Sequence, residues 1–133
     1  PWLLKLRRML GLFSFFYAAL HFTTYLWFDQ MFEVASISKD IWKRPFITVG
    51  FLAFLLLVPL ALTSFNKAIR YLGGKRWQML HKLVYVIALL SVLHFFWMKA
   101  AKNLWAEPLI FGLVILTLLG FRIRVKQQNK SSI

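Results

Sequence analysis

The sequence predicts an all-α membrane protein, a polytopic transmembrane helix bundle with about four spans, from three observations. Of its 133 residues 60% are hydrophobic and 18% aromatic, and only 16% are charged, against about a quarter in a soluble domain. The apolar residues come in runs close to the roughly 20 residues that carry a helix across a bilayer core about 30 Å thick. Those runs are rich in Leu, Phe and Ile and lack period-two alternation, so their backbone polar groups must pair within helices rather than around a barrel.

The first span is Met9 to Phe28, which holds no charged side chain. It runs into Tyr25 and Trp27 without a small-residue cleavage site, which argues against a signal peptide. The second, Phe46 to Phe65, is also free of charge, with Pro59 a kink late in the helix. The third, Trp77 to Met98, carries only Lys82 near its start. The fourth, Pro108 to Phe121, is short and must borrow length from Leu104 to Glu107 and from snorkelling of Arg122 and Arg124. The polar tail from Gln127 to Ile133 reads as disordered. The chain starts at Pro1 without an initiator Met, and Trp2 to Leu6 reads as the end of a preceding segment, so the sequence has the character of a fragment.

The net charge of +13 invites a nucleic-acid reading, but the bases lie in short clusters between apolar runs and form no stripe, which excludes it. Their distribution orients the chain instead. Twelve bases (Lys5, Arg7, Arg8, Lys67, Arg70, Lys75, Arg76, Lys82, Arg122, Arg124, Lys126 and Lys130) fall on one side, and five (Lys39, Lys43, Arg44, Lys99 and Lys102) on the other. By the positive-inside rule the first side, with both ends of the chain, is cytoplasmic. All four acids, Asp29, Glu33, Asp40 and Glu107, lie opposite. Trp27, Trp42, Trp97 and Trp105 form an outer interfacial belt, and Trp2, Tyr71 and Trp77 an inner one. The basic loops serve topology and attract anionic membrane lipid, or else dock a specific partner.

Three histidines occupy the spans: His21 in the first, His81 and His94 in the third. An ionisable group inside a membrane is costly and tends to face the bundle with a partner. One alternative is a plain hydrogen bond between helices. No acid lies within the spans to pair with these histidines, which favours a ligand role. Spans one and three both run outward, so His21 and His94 share the outer half. Two imidazoles on opposite faces of a porphyrin form the axial set of a low-spin b-type cytochrome. Ala18 and Ser91, about one turn before each histidine, leave room for a macrocycle. Cys is absent, which excludes disulfides, thiolate-bound zinc, iron–sulfur clusters and covalent c-type heme, so any heme is held non-covalently.

His81 lies near the cytoplasmic surface, about 20 Å of helix rise from His94. On an ideal wheel the two side chains point about 140° apart. The equivalent depth in span one holds Arg7 or Arg8 rather than a histidine. His81 therefore ligates a heme with a partner from elsewhere, or binds a flavin or quinone. Arg8, Lys75 and Arg76 are placed to pair with heme propionates or a flavin phosphate. A zinc or copper path is poorly served, since there is no Cys, Met cluster or suitably spaced carboxylate.

The residues also resemble a known family. Gly11-Leu-Phe-Ser-Phe-Phe-Tyr-Ala-Ala-Leu-His21-Phe-Thr-Thr-Tyr25, Lys43-Arg-Pro-Phe-Ile-Thr-Val-Gly50, Ala61-Leu-Thr-Ser64 and above all Gly74-Lys-Arg-Trp-Gln-Met-Leu-His81-Lys-Leu-Val-Tyr85, followed by His94, are similar to the MsrQ family. Its members are the heme-binding membrane subunits of bacterial periplasmic methionine sulfoxide reductases, within the ferric reductase-like transmembrane group. The resemblance covers roughly Leu4 to Arg124. It implies a ferric reductase-like transmembrane heme-binding domain over residues 1–126, followed by the cytoplasmic tail at 127–133, in the bacterial inner membrane. It implies heme b, with FMN also associated with the family, and ligand roles for His21, His81 and His94. Electrons would come from the quinone pool or a cytoplasmic flavin reductase and pass to a periplasmic molybdopterin-containing reductase subunit. Family members have about six spans, which implies two further N-terminal helices.

No G-x-G-x-x-G fingerprint or βαβ pattern is present, so the usual route to a nicotinamide cofactor is missing and the chain reads as a conduit rather than a complete enzyme. Two other classes stay open: a ferric or other metal reductase acting on a small external substrate, and a non-redox membrane scaffold whose histidines bridge helices.

Overall fold

The computed structural model describes residues 2–131, and every regular element among them is helical. In chain order these are α1 (Trp2–Thr24), a π-helical turn (Tyr25–Asp29), α2 (Val34–Lys43), α3 (Pro45–Leu62), α4 (Asn66–Leu72), α5 (Gly74–His81), α6 (Leu83–Ala100) and α7 (Ala106–Ser131). Four stretches are long and apolar enough to cross a membrane: Lys5–Asp29, Pro45–Leu62, Gly74–Ala100 and Ala106–Gln128. The protein is an all-α, multi-pass membrane protein. It divides into two compact units, one through Ser91 and one from Val92 onward, with the boundary inside α6.

In the first unit α1 packs on α3 through aromatic rings. Phe22 lies 5.0 Å from Phe54 and 5.7 Å from Phe51, and Phe15 stacks on Phe54 at 6.0 Å. Lipid tails are as apolar as these side chains, so close packing of this kind, worth about 0.5–1.5 kcal/mol per aromatic pair, holds the helices together. The buried positions of α3, Ala53 and Leu60, sit two turns apart on one face. Most other large apolar side chains are exposed, the pattern of helices whose solvent is lipid.

Pro59 lies inside α3, and the helix ends at Leu62, three residues before the expected limit at Phe65. Two hydroxyls close the end: Thr63 Oγ1 donates to the Pro59 carbonyl and Ser64 Oγ to the Leu60 carbonyl, each at 2.6 Å. They satisfy acceptors that a helix C-terminus leaves open. The third span is two helices, because Lys82 interrupts it. The Lys82 N–H is shared between the Gln78 and Met79 carbonyls at 3.2 Å each, a local tightening directly after His81.

The segment between α1 and α3 is ordered by a polar cluster that the sequence reading did not anticipate. Asp40 Oδ2 accepts from the Tyr25 hydroxyl at 3.0 Å and from Gln30 Nε2 at 2.9 Å. Arg44 Nε pairs with Asp40 Oδ1 at 3.0 Å, and Ser36 Oγ donates to Gln30 Oε1 at 2.6 Å. Gln30 is the buried polar residue among those described. Met31 and Phe32 take left-handed backbone angles, φ 48° and 57°, to turn the chain between the π-helical turn and α2.

In the second unit, α6 and α7 meet through Phe95 and Phe111, edge to face at 5.9 Å, and Lys99 Nζ pairs with Glu107 at 2.8 Å. Asn103, at φ 56°, turns the connection, a conformation Asn tolerates better than most residues. The fourth span is longer than the Pro108 to Phe121 expectation. Pro108 sits in the first turn of α7, where a missing N–H is harmless, so the helix starts ahead of it at Ala106. Its other end runs on to Ser131, so Gln127 to Ser131, read from sequence as disordered, continue the helix. The remainder of that tail, Ser132 and Ile133, lies outside the described residues.

Candidate heme site

His81 is the last residue of α5. Gly73 starts the helix with φ 76° and ψ 147°, a conformation essentially confined to glycine. Trp77 then falls one turn into α5 and His81 one turn later, on the same face. The two rings stack with centroids 3.9 Å apart and planes 25° from parallel.

His81 Nδ1 lies 3.1 Å from the Trp77 carbonyl oxygen. A carbonyl only accepts, so Nδ1 carries the proton and donates it. The lone pair is then on Nε2. Nε2 is buried and has no hydrogen-bond partner. A buried acceptor left unpaired costs about 1–3 kcal/mol. An imidazole whose Nδ1–H is held by a carbonyl and whose Nε2 is buried without a partner is a donor that an iron ion could take, so the residues present fit a heme ligand.

Trp77 is held in turn. Its indole Nε1–H donates to the Thr63 carbonyl at 2.8 Å, linking α5 to the closed end of α3. Neither Trp77 nor Thr63 was singled out from sequence as serving the site, although a Trp four residues before a His on a helix is a visible signal for ring contact.

The other expected site residues lie as follows. His21 is on α1, in the first unit, one turn before the π-helical turn, with an exposed side chain and a carbonyl that accepts from Thr24 Oγ1 at 2.7 Å. His94 is on α6 in the second unit and half-buried. One turn before it Ser91 donates to the Ile87 carbonyl at 2.8 Å. Arg8 donates through Nη1 to Asn66 Oδ1 at 2.8 Å, tying α1 to the start of α4. Lys75 and Arg76 are exposed in the first turn of α5. Cations there oppose the helix dipole and gain from a neighbouring anion. Among the described residues no group of three or more His, Asp or Glu side chains is placed to hold a metal ion.

Residues 1–92 match the family described as ferric reductase like transmembrane component. The chain is 60% identical over 98% of its length to the protein-methionine-sulfoxide reductase heme-binding subunit MsrQ of Herminiimonas arsenicoxydans, covering 60% of that protein. It is 58% identical to the MsrQ proteins of Polaromonas naphthalenivorans and Azospira oryzae, over 92% of this chain and 56% and 52% of theirs. The chain thus spans little more than half the length of these curated relatives. No solved structure matches it significantly. With the family match covering more than half of the chain and close relatives along nearly all of it, the chain belongs to the ferric reductase-like transmembrane family.

Proposed function

We propose that this chain is the heme-binding, electron-transferring membrane part of a methionine sulfoxide reductase system. The observation that carries the reading is the buried, unpartnered Nε2 of His81 with its tautomer fixed by the Trp77 carbonyl. The heme-binding name of the relatives supports it. His21 and His94, both at outer-half depth by the sequence, would hold one b-type heme. His81 would hold a second heme nearer the cytoplasmic face, together with a ligand that is not one of this chain's three histidines. Bound heme supplies reversible one-electron transfer.

The protein's own groups hold and orient. The imidazoles present lone pairs, and Lys75, Arg76 and the donors of Arg8 not used by Asn66 neutralise propionates or an FMN phosphate at the inner face. Electrons enter there from a cytoplasmic flavin reductase or a quinone. They leave at the outer face to a periplasmic molybdopterin-containing reductase subunit, in a bacterial inner membrane with both ends of the chain cytoplasmic. The test is the optical spectrum of purified full-length protein. A Soret band that is lost or altered by His21→Ala and by His94→Ala supports the assignment; a protein with no Soret band sinks it.

A second reading, a metal reductase acting on a small external substrate, is favoured by the description of the matching family. Partner dependence separates the two. Reoxidation of the reduced protein by ferric chelates, unchanged on adding the molybdenum subunit, would support this second reading instead.

A further inference from the structure

We infer that Trp77 is the positioning residue for His81, fixing both the plane of its imidazole and the nitrogen it offers to iron; this rests on the reading of His81 as a heme ligand. Two contacts fix the ring, and a third anchors the indole that makes one of them. The Trp77 carbonyl takes the Nδ1 proton at 3.1 Å, which leaves the lone pair on Nε2 alone. The Trp77 indole covers one face of the imidazole at 3.9 Å and 25°, so the ring cannot turn about its Cβ–Cγ bond without displacing the indole. The indole is itself anchored, because Nε1–H donates to the Thr63 carbonyl at 2.8 Å.

Thr63 is held at the end of α3 by its own hydroxyl bonds to the Pro59 and Leu60 carbonyls. The orientation of a ligand on α5 is thereby referred to the end of α3, one span away in sequence. A carbonyl holding Nδ1–H would make Nε2 the better donor to a bound iron. The stack keeps that hydrogen bond aligned. Trp77 touches neither iron nor substrate in this scheme and acts only through His81.

The experiment uses full-length protein purified with its native heme, in three variants: Trp77→Leu, which removes stack and tether; Trp77→Phe, which keeps a ring face but loses the Nε1–H bond; and His81→Ala. The readouts are the largest g value of the ferric low-spin signal, which reports the axial ring orientation, the reduction midpoint, and heme retention against apomyoglobin. We expect Trp77→Leu to shift the g value and weaken retention of the His81 heme roughly tenfold or more, the usual effect of removing an outer-shell partner of a ligand. Trp77→Phe should show a smaller shift of the same sign. A loss of overall stability would leave the g value of the surviving folded protein unchanged. Wild-type g value, midpoint and retention in Trp77→Phe and Trp77→Leu, with the His81→Ala signal lost, overturn the positioning role while leaving the heme reading intact. An unchanged spectrum in His81→Ala overturns both. Should Trp77→Leu fail to fold, Trp77→Phe decides by the same criteria.

Discussion

Two polar constellations in the first unit resemble each other in chemistry and differ in their accounting of hydrogen bonds. Around Asp40, between α1 and α3, both carboxylate oxygens are used, and Tyr25, Gln30, Ser36 and Arg44 all bond within the cluster. Around His81, Trp77 and His81 Nδ1 are paired as fully, yet Nε2 is buried with nothing to bond. Native proteins leave few buried polar atoms unsatisfied, and each one that persists asks for an explanation. The first cluster completes itself and therefore reads as structural. The second is complete only when something outside the chain takes a lone pair, so it reads as functional.

That contrast is broken or sharpened most strongly by exchanging the central residue of each cluster. His81→Ala should remove one b-type signal outright while leaving the His21 and His94 signal, read as two resolved steps in a redox titration of the optical spectrum. Asp40→Leu should do the opposite. It strands the part-buried Tyr25 hydroxyl and Gln30 amide, lowering stability by about 1–3 kcal/mol for each group left unsatisfied, with the heme spectrum retained in the protein that folds. Thermal unfolding in detergent, followed by circular dichroism, measures it. An Asp40→Leu protein as stable as wild type would show that the cluster is incidental.

In the heme-free protein, His81→Phe should be neutral or stabilising by up to about 1–3 kcal/mol, since it removes an unsatisfied buried nitrogen and keeps a ring to stack on Trp77. Clear destabilisation of the apoprotein by this change would mean that His81 is structural after all. Gly73→Ala should cost about 1–3 kcal/mol through backbone strain alone, since an added Cβ meets nothing within 4 Å but φ stays at 76°. The smallest effect belongs to Glu107→Gln in the second unit. Its partner Lys99 is partly covered but Glu107 is 60% exposed, and the change should stay below about 1 kcal/mol in the same unfolding assay.

Much of this was legible in the sequence, for a physical reason. In lipid, backbone pairing leaves long apolar runs no option but helix, so the four spans follow from composition and run length. Intramembrane histidines stand out because their presence is costly. What the pattern did not carry was local chemistry at the span ends. The stop at Leu62 depends on hydroxyls of Thr63 and Ser64 bonding backward, and the extra length of α7 depends on Pro108 falling in a first turn rather than marking a start. Asp40 was visible only as an outer-side acid. Its role depends on the π-helical turn at Tyr25–Asp29, whose shifted register no hydrophobic period records. At the site, the ligand candidate was readable while its supports were not, because Trp77 also suits an interfacial belt and Thr63 contributes a backbone carbonyl that any residue would supply.

The most direct test of the central claim is the ratio of heme to polypeptide in purified full-length protein, measured as the pyridine hemochrome for wild type and for His81→Ala. The account predicts that the variant loses about half of the wild-type heme, that the remainder is still sensitive to His21→Ala and His94→Ala, and that the fold persists. An identical heme content and spectrum in wild type and His81→Ala would contradict it.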